Sequence, residues 1–444
     1  MTVKIVSSLP GTGKTSWAIE KMNREGKDKR FLFVTPFVKE IERVVDACSS
    51  IGIKTPDEGR GGGRKKTDIL NLLKNNENIA TSHALFTAMD EGFINRIRGR
   101  GYTLILDESI ELVSELNLYG GRGPYDEDSL SVILTREDMD YFCSRDILSV
   151  DPLDFAVSPS EERSLRLYRR VFNLAKMGLL YYINDSVLIY VFPPALFAEN
   201  IFSEYFVLTY QFDLQLQKSY FDFFGIGYEK YYAFANDNGG YSIAPGEYDE
   251  RLFLKDLRDK IHIVESPYIN EVGDPYVADN GHTYYSALSS THYLNHFDEF
   301  SEQLKKNLTN FFGNITNSKV EDRMWTTFKA YRGKFSKTRH VPRKEGSFAP
   351  MNSRATNNYR EKTIIAYLVN RYYRPHTKKF FETKGVVLND DDLALSEMLQ
   401  FLFRSSIREG RDIQVYMPSY RMRTILNTYL EFGSKFPDDF SVER

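Results

Sequence analysis

Cysteine is all but missing from this chain: Cys48 and Cys143 are the two among 444 residues. Two cannot build a disulfide framework, so a reducing, intracellular setting is the default. The first residues run directly into a polar loop, so no charged-then-apolar leader is expected. No apolar run is long enough to cross a bilayer. The most apolar stretch, "SVLIYVFPPALF" (186–197), stops after a dozen residues and is broken by Pro193 and Pro194. A soluble protein of the cytoplasm, with no membrane partner, is the expectation. Strong net charge is absent too; the total is −3, which by itself says nothing about nucleic acid.

What is present is the composition of an ordered globular protein: 42% apolar, 27% charged, and rich in Tyr and Phe. At this length two or three domains can each bury a core. Charge is unevenly placed. Between Lys319 and Lys384 there are 17 Lys or Arg against 5 Asp or Glu, so the remainder is acidic. Tyr331, Phe335, Tyr359, Tyr372 and Tyr373 are interleaved with those cations. Cations neutralise phosphates and rings stack on bases, so the mixture suits a groove for a nucleic-acid strand. A solvated surface over ordinary core aromatics fits the same composition.

The apolar pattern alternates between strand and helix periods. "VKIV" (3–6), "RFLFVTPF" (30–37), "YTLILDES" (102–109) and "YFVLTYQF" (205–212) read as buried strands, with amphipathic helices over "TSWAIEKMNRE", "VKEIERVVDACSSIG" and "DILNLLKN". From about 115 to 195 the pattern degrades, as an insertion would make it. In the second half, strands at "KIHIVES", "RMWTTFKAY", "TIIAYLVN" and "DIQVYMP" alternate with helices. One of these, "LALSEMLQFLFRSSIREG", is expected to end at Gly410. Strand–helix alternation predicts an α/β fold with parallel sheets, whose ligands bind beyond the carboxyl ends of the strands.

Two motifs fall at such ends. "SSLPGTGKTS" (7–16) follows the first strand and nearly fits the phosphate-binding pattern G-x-x-x-x-G-K-[ST], with Ser8 in the first glycine's place. Small residues let backbone N–H groups wrap phosphates, a lysine supplies charge, and a hydroxyl meets Mg²⁺. Pro10, Gly11, Thr12, Gly13, Lys14, Thr15 and Ser16 are the candidate nucleotide-binding residues, helped by the positive end of the helix that follows. The second motif, "LILDES", delivers Asp107 to hold the magnesium with Thr15, and Glu108 to position or deprotonate the attacking water. An acidic pair that merely caps a helix is the alternative for this motif alone.

The order "PGTGKT", "VTP", "TSH", "DES", "LTY", "RATN" and "QFLFRSSIR" resembles superfamily 2 helicases, and more closely the DEAD-like helicases encoded by bacteriophages. The resemblance covers most of the chain outside 115–195. It implies two RecA-like lobes, at 1–217 with the insertion and at 218–444, that use ATP and Mg²⁺ and bind nucleic acid. Single-stranded DNA is the first choice, with RNA as the alternative and other replication proteins as further partners, in a host bacterial cytoplasm. By position it implies that Thr35, Pro36, Thr81, His83, Arg354 and Asn357, with Thr356 beside them, meet the strand. It further implies that Thr209 couples nucleotide state to the second lobe. Gln400, Arg404 and Arg408 are spaced by four and would share one helix face. The family presents a glutamine and two arginines there to the γ-phosphate, and Arg404 is the first choice of finger. The chain departs from the family at Phe403, where a glycine is usual, and at Ile110, and an upstream adenine-reading glutamine motif is not expected.

The leading expectation is therefore an ATP-dependent helicase or translocase acting on DNA in phage replication or recombination. A packaging-type ATPase with a nuclease lobe is a second reading, with Asp390, Asp391 and Asp392 of "NDDDLALSE" as its acids. A nucleotide-binding clamp that barely hydrolyses is a third.

Overall fold

The computed structural model describes residues 2–117, 136–159, 169–184, 187–277, 281–344, 346–351 and 359–434, with 436, 437, 440 and 442 beyond. The chain forms two compact units: Met1–Glu247 with Tyr373–Leu388, and Tyr248–Tyr372 with Asn389–Arg444.

The first unit is built on strands β1 (Val3–Ser7), β2 (Arg30–Thr35), β3 (Ile79–Ser82) and β4 (Tyr102–Asp107). An insertion adds β5 (Val113–Asn117), β6 (Leu148–Val150), β7 (Val157–Pro159), β8 (Leu180–Ile183) and β9 (Val187–Val191). Strands β10 (Glu204–Thr209), β11 (Tyr228–Ala235) and β12 (Tyr241–Pro245) complete the unit. The main sheet runs β12-β11-β1-β10-β4-β2-β3, parallel throughout except for the β11–β12 hairpin. Strand side chains alternate between faces, and here both faces are apolar. Phe31, Phe33, Ile105, Phe206 and Leu208 pack under Trp17, Met22 and Val44 on one side. Leu32, Val34, Leu104, Leu106, Tyr205 and Val207 meet Ile69, Phe93 and Tyr220 on the other. Helices on both faces explain why β2 and β4 read as unbroken apolar runs.

β1, which bears the loop, and β4, which bears the acids, are separated by β10. This is the RecA-like arrangement expected. Register puts Ser7 beside Thr209, Leu208 beside Asp107, Val34 beside Leu106 and Thr35 beside Ser82. The motifs thus end on one edge.

The first unit extends past the expected boundary at 217. β11 pairs with β1 in parallel and covers an edge that would otherwise expose unpaired backbone. The segment Tyr373–Leu388, expected in the second lobe, also belongs to the first unit. Its helix Pro375–Glu382 brings Phe380 to 4.7 Å from Tyr181 and 4.5 Å from Phe223, between ring centroids. The described part of the insertion has strands of its own: β5, β9 and β8 form an antiparallel sheet and β6–β7 a hairpin. Met139, Phe142, Val171, Phe172 and Leu180 are part of a small core of its own.

The second unit contains β13 (Ile261–Ile263), the short pair β14 (Tyr276–Val277) and β15 (Thr283–Tyr284), then β16 (Arg323–Thr326), β17 (Ile364–Tyr367) and β18 (Ile413–Tyr416). Its main sheet, β13-β18-β17-β16, is wholly parallel. Trp325, Phe311, Tyr293 and Tyr416 are among the buried residues of its core. The helix expected to reach Gly410 stops at Leu402, and a separate 3₁₀ turn follows over Ser406–Glu409. Ser405 causes the break: its hydroxyl donates to Leu402 O at 2.6 Å and accepts from the Ile407 N–H, offering the backbone an alternative to another helical turn. No helix among the described residues is long and apolar enough to cross a membrane.

Candidate nucleotide site

The loop after β1 takes two glycines into left-handed conformations, Gly11 at φ 90° and Gly13 at φ 89°, which side chains rarely tolerate. The helix Lys14–Glu25 starts immediately, with no side-chain cap and no acid in its first turn. Its first N–H groups therefore face the loop with the positive helix end behind them. Lys14 is buried and folds back, its Nζ donating to Ser8 O at 2.6 Å and Leu9 O at 2.8 Å. Ser8 has its own reason for replacing glycine: its hydroxyl accepts the Ala233 N–H at 2.7 Å and ties the loop to β11.

Asp107 stands at the centre of the edge. Thr15 Oγ1 donates to Asp107 Oδ1 at 3.1 Å, and Thr35 Oγ1 to Oδ2 at 3.3 Å. His83 Nε2 donates to the Asp107 carbonyl at 2.9 Å. Burial pushes the Asp107 carboxyl up to about 7. The negative charges of Glu108 and Glu40 add to the rise, while the Thr15 hydroxyl and Lys14 pull the other way. A buried acid raised this far, facing a hydroxyl on the phosphate loop, fits a site for a divalent cation, whose charge would favour the carboxylate. Glu108 follows in a left-handed conformation, φ 67°, with its N–H donated to Leu208 O at 2.8 Å. That turn carries its half-exposed side chain off the strand.

Thr209 lies on the same edge, fully buried. Its hydroxyl and the Gln215 side chain bond each other, and Gln215 Nε2 also donates to Tyr210 O at 2.7 Å. Gln215 escaped the sequence reading because nothing local distinguishes it.

The expected strand contacts need correction. Thr35 is completely buried and Thr81 is 1% exposed, so neither presents itself to a polymer, and the Thr35 hydroxyl serves Asp107 instead. The "VTP" pattern could not show this, because it depends on which face of β2 points to β4. Pro36 and His83 are half-buried. Arg354, Thr356 and Asn357 lie outside the described residues.

In the second unit Gln400, Arg404 and Arg408 do not share a helix face. Gln400 is on the helix, with Nε2 3.4 Å from Ser396 Oγ. Arg404, just past its end and 3% exposed, donates to Pro350 O at 2.7 Å and Met351 O at 2.9 Å. Arg408 is exposed on the 3₁₀ turn. The acids of the nuclease reading have structural work. Asn389 caps the helix they begin, and Asp391 Oδ1 accepts from Arg421 Nη2 at 2.5 Å. Among the described residues no three His, Cys, Asp or Glu side chains gather as a metal cluster.

The interleaved aromatics prove to be packing residues. Phe335 is fully buried and Tyr359 nearly so, its hydroxyl donating to Phe348 O, and Tyr331 packs against the same core. The cations beside them are outside: Arg332, Lys334, Lys337, Arg339, Arg343 and Lys344 are all exposed, and no acid interrupts that run. A second cationic feature went unnoticed in the sequence. At the end of the first unit where β4 begins, a cavity of about 470 Å³ is lined by Lys74, Arg96, Arg98 and Arg100 with Gly92 and Asn95.

Over 438 residues the chain is 34% identical to the SPbeta prophage-derived protein YonV of Bacillus subtilis (strain 168), covering 97% of this chain and 98% of that protein. The chain belongs to the YonV family. Residues 255–430 match the family described as the YonV C-terminal Rossmann-like domain, so the loop at 7–16 and the acids at 107–108 fall outside that match. Among solved structures the chain is similar to S. tokodaii Xpd4, at 12% identity over 98% of this chain and 94% of that one, with a TM-score of 0.45. It is also similar to the DUF1998 helicase MrfA bound to DNA and AMPPNP, at 10% identity over 98% of this chain and 49% of that one, with a TM-score of 0.29. Likenesses at that level carry no inference about activity. What this YonV-family chain does is read from its own edge of strand ends.

Proposed function

We propose that this YonV-family protein is an Mg²⁺-dependent nucleoside triphosphatase that works on nucleic acid as a helicase or translocase, with ATP as the expected fuel and single-stranded DNA as the expected track. One observation supports the reading: within a single unit, Thr15 of a glycine loop donates to Asp107 at the end of a strand two places away in the sheet.

In this mechanism the loop N–H groups and the helix end hold the phosphates, and Lys14 leaves the Ser8 and Leu9 carbonyls to meet them. Thr15 and Asp107 would hold the cation, which would supply positive charge to the triphosphate. Glu108 orients the attacking water and takes its proton. Thr209, joined to Ser7 in register and to Gln215 by hydrogen bonds, is placed to sense the state of the loop. Of the two arginines in "FRSSIR", Arg408 is the exposed one and is the proposed partner of a phosphoryl group, whereas Arg404 holds the chain leading into 352–358. The exposed cations from Arg332 to Lys344 suit phosphate contacts along a strand.

Hydrolysis stimulated by single-stranded DNA or RNA is the test. Wild-type protein should hydrolyse ATP faster with polynucleotide. Glu108→Gln should lower turnover by about 10²–10⁴ while ATP binding, read by calorimetry, persists. Binding without hydrolysis in the wild type would instead make the protein a clamp.

A further inference from the structure

The hairpin β11–β12 brings a residue to the loop that no phosphate motif contains. A Cβ at Gly13 would lie 2.0 Å from Tyr241 Cδ1 and Cε1, so the tyrosine ring rests directly against the glycine that precedes Lys14. The hairpin is fixed there from three directions. The Tyr241 N–H donates to Glu20 Oε2 at 3.0 Å, on the helix that begins at the loop. The Ala233 N–H donates to Ser8 Oγ. Within the turn, Asn236 Oδ1 accepts from the Asn238 and Gly240 N–H groups at 3.2 and 3.0 Å, and Asn236 Nδ2 donates to Ser242 Oγ at 3.2 Å. Tyr241 packs in part against the core under that helix and is half-buried as a residue. It therefore stands at the loop as an anchored aromatic surface with one part still open.

We propose that Tyr241 and the turn at 236–241 form the base-side subsite of the nucleotide site, with the ring stacking on the nucleoside whose phosphates lie in the loop. This rests on the nucleotide reading above and adds its specificity. Stacking accepts any base, because every base has a π-face. The Asn236 amide, the Ser242 hydroxyl and the Glu20 carboxylate are already bonded within the hairpin and to the Tyr241 N–H, so these three do not read a base edge. The subsite thus grips nucleosides firmly and discriminates among them weakly: ATP and GTP should bind within about five-fold of each other.

The experiment compares Mg²⁺-dependent binding of ATP, GTP and inorganic tripolyphosphate by calorimetry, in wild type and in Tyr241→Phe, Tyr241→Leu and Tyr241→Ala. Tyr241→Leu keeps apolar contact on Gly13 without a π-face, which guards against an effect of lost packing alone. Expected is a loss of about ten- to a hundred-fold in ATP and GTP affinity for the Leu and Ala variants. Tripolyphosphate affinity should be unchanged, and Tyr241→Phe should behave as wild type. Equal losses for ATP and tripolyphosphate would overturn the subsite and leave Tyr241 as support for the loop. Equal gains would overturn it too, by making the ring an obstruction. A wild type that discriminates ATP from GTP by more than a hundred-fold would refute the stacking account. Wild-type protein that binds neither tripolyphosphate nor nucleotide would remove the nucleotide reading itself.

Discussion

The two units carry parallel sheets of the same kind, yet they treat charge at the ends of their strands in opposite ways. In the first, Asp107 is buried with two hydroxyls on its carboxylate and is pushed up to about 7. In the second, charges near the end of β17 are already neutralised. Arg421, fully buried, bonds Asp391 Oδ1 at 2.5 Å, Asn370 Oδ1 at 2.9 Å and Arg371 O at 2.8 Å, and sits 4.1 Å over the Tyr372 ring. Arg371 pairs with Glu397 through two nitrogens. Asn370 Nδ2 donates to Tyr285 O and Ala287 O. Among the described residues, the end of β17 is closed by ion pairs of its own unit, whereas the end of β4 presents a carboxyl bonded to two hydroxyls.

The two arginines of "FRSSIR" test that contrast most severely. Arg408→Ala should lower turnover by about 10³–10⁵ with little change in stability, the size of effect an arginine finger has. Arg404→Ala should instead destabilise by about 2–4 kcal/mol, because the Pro350 and Met351 carbonyls lose their donor. Steady-state kinetics beside urea unfolding separates the two. If Arg404→Ala cuts turnover and spares stability, the second unit has an open catalytic edge after all and the comparison fails.

Next in size is the buried pair. Arg421→Ala leaves Asp391 and Asn370 without their partner and should cost about 3–5 kcal/mol. Arg421→Ala combined with Asp391→Ala should recover part of that. Unfolding midpoints would show it, and a double variant as damaged as the sum of the two singles would argue that the pair is not the closing element.

The smallest effect concerns pH and the other end of the first unit. Burial pushes the Glu25 carboxyl up, but hydrogen bonds from Lys21, Arg24 and Lys29 outweigh it and hold Glu25 down to about 2. Glu204 is also lowered: burial opposes the shift, and Lys21, Lys4 and Lys29 prevail. A carboxyl whose folded value lies below its unfolded one stabilises the fold above the unfolded value and loses that contribution on acidification. Stability should therefore fall as pH drops from about 4.5 towards 2. Because these groups are partly solvated, the change should be about 1 kcal/mol or less. Glu25→Gln should flatten the slope in thermal melts over that range, and an unchanged slope would remove this cluster from the account.

The parts legible in the sequence were those whose chemistry is local. A strand that leads into Gly-Thr-Gly-Lys-Thr, or ends in Asp-Glu, announces the fold, and Thr15 and Asp107 do meet at 3.1 Å. What depended on distant packing stayed hidden. Thr35 looked like a strand contact until the pairing of β2 with β4 turned it towards Asp107. Gln400, Arg404 and Arg408 looked like one helix face because spacing alone carries no warning that Ser405 will end the helix. The β11–β12 hairpin lay in "YEKYYAFA" and a Gly-rich turn, whose mixed burial gives no clean alternation.

The return of Tyr373–Leu388 to the first unit has a practical consequence. The polypeptide passes from one unit to the other three times, after Glu247, Tyr372 and Leu388, so a single protease nick at the first crossing leaves two further covalent links. Nor does a gene fragment stopping at Glu247 encode a finished first unit: Tyr181 and Phe223 would lose the two phenylalanines that roof them, and the shortened product would display that greasy floor to its neighbours in solution.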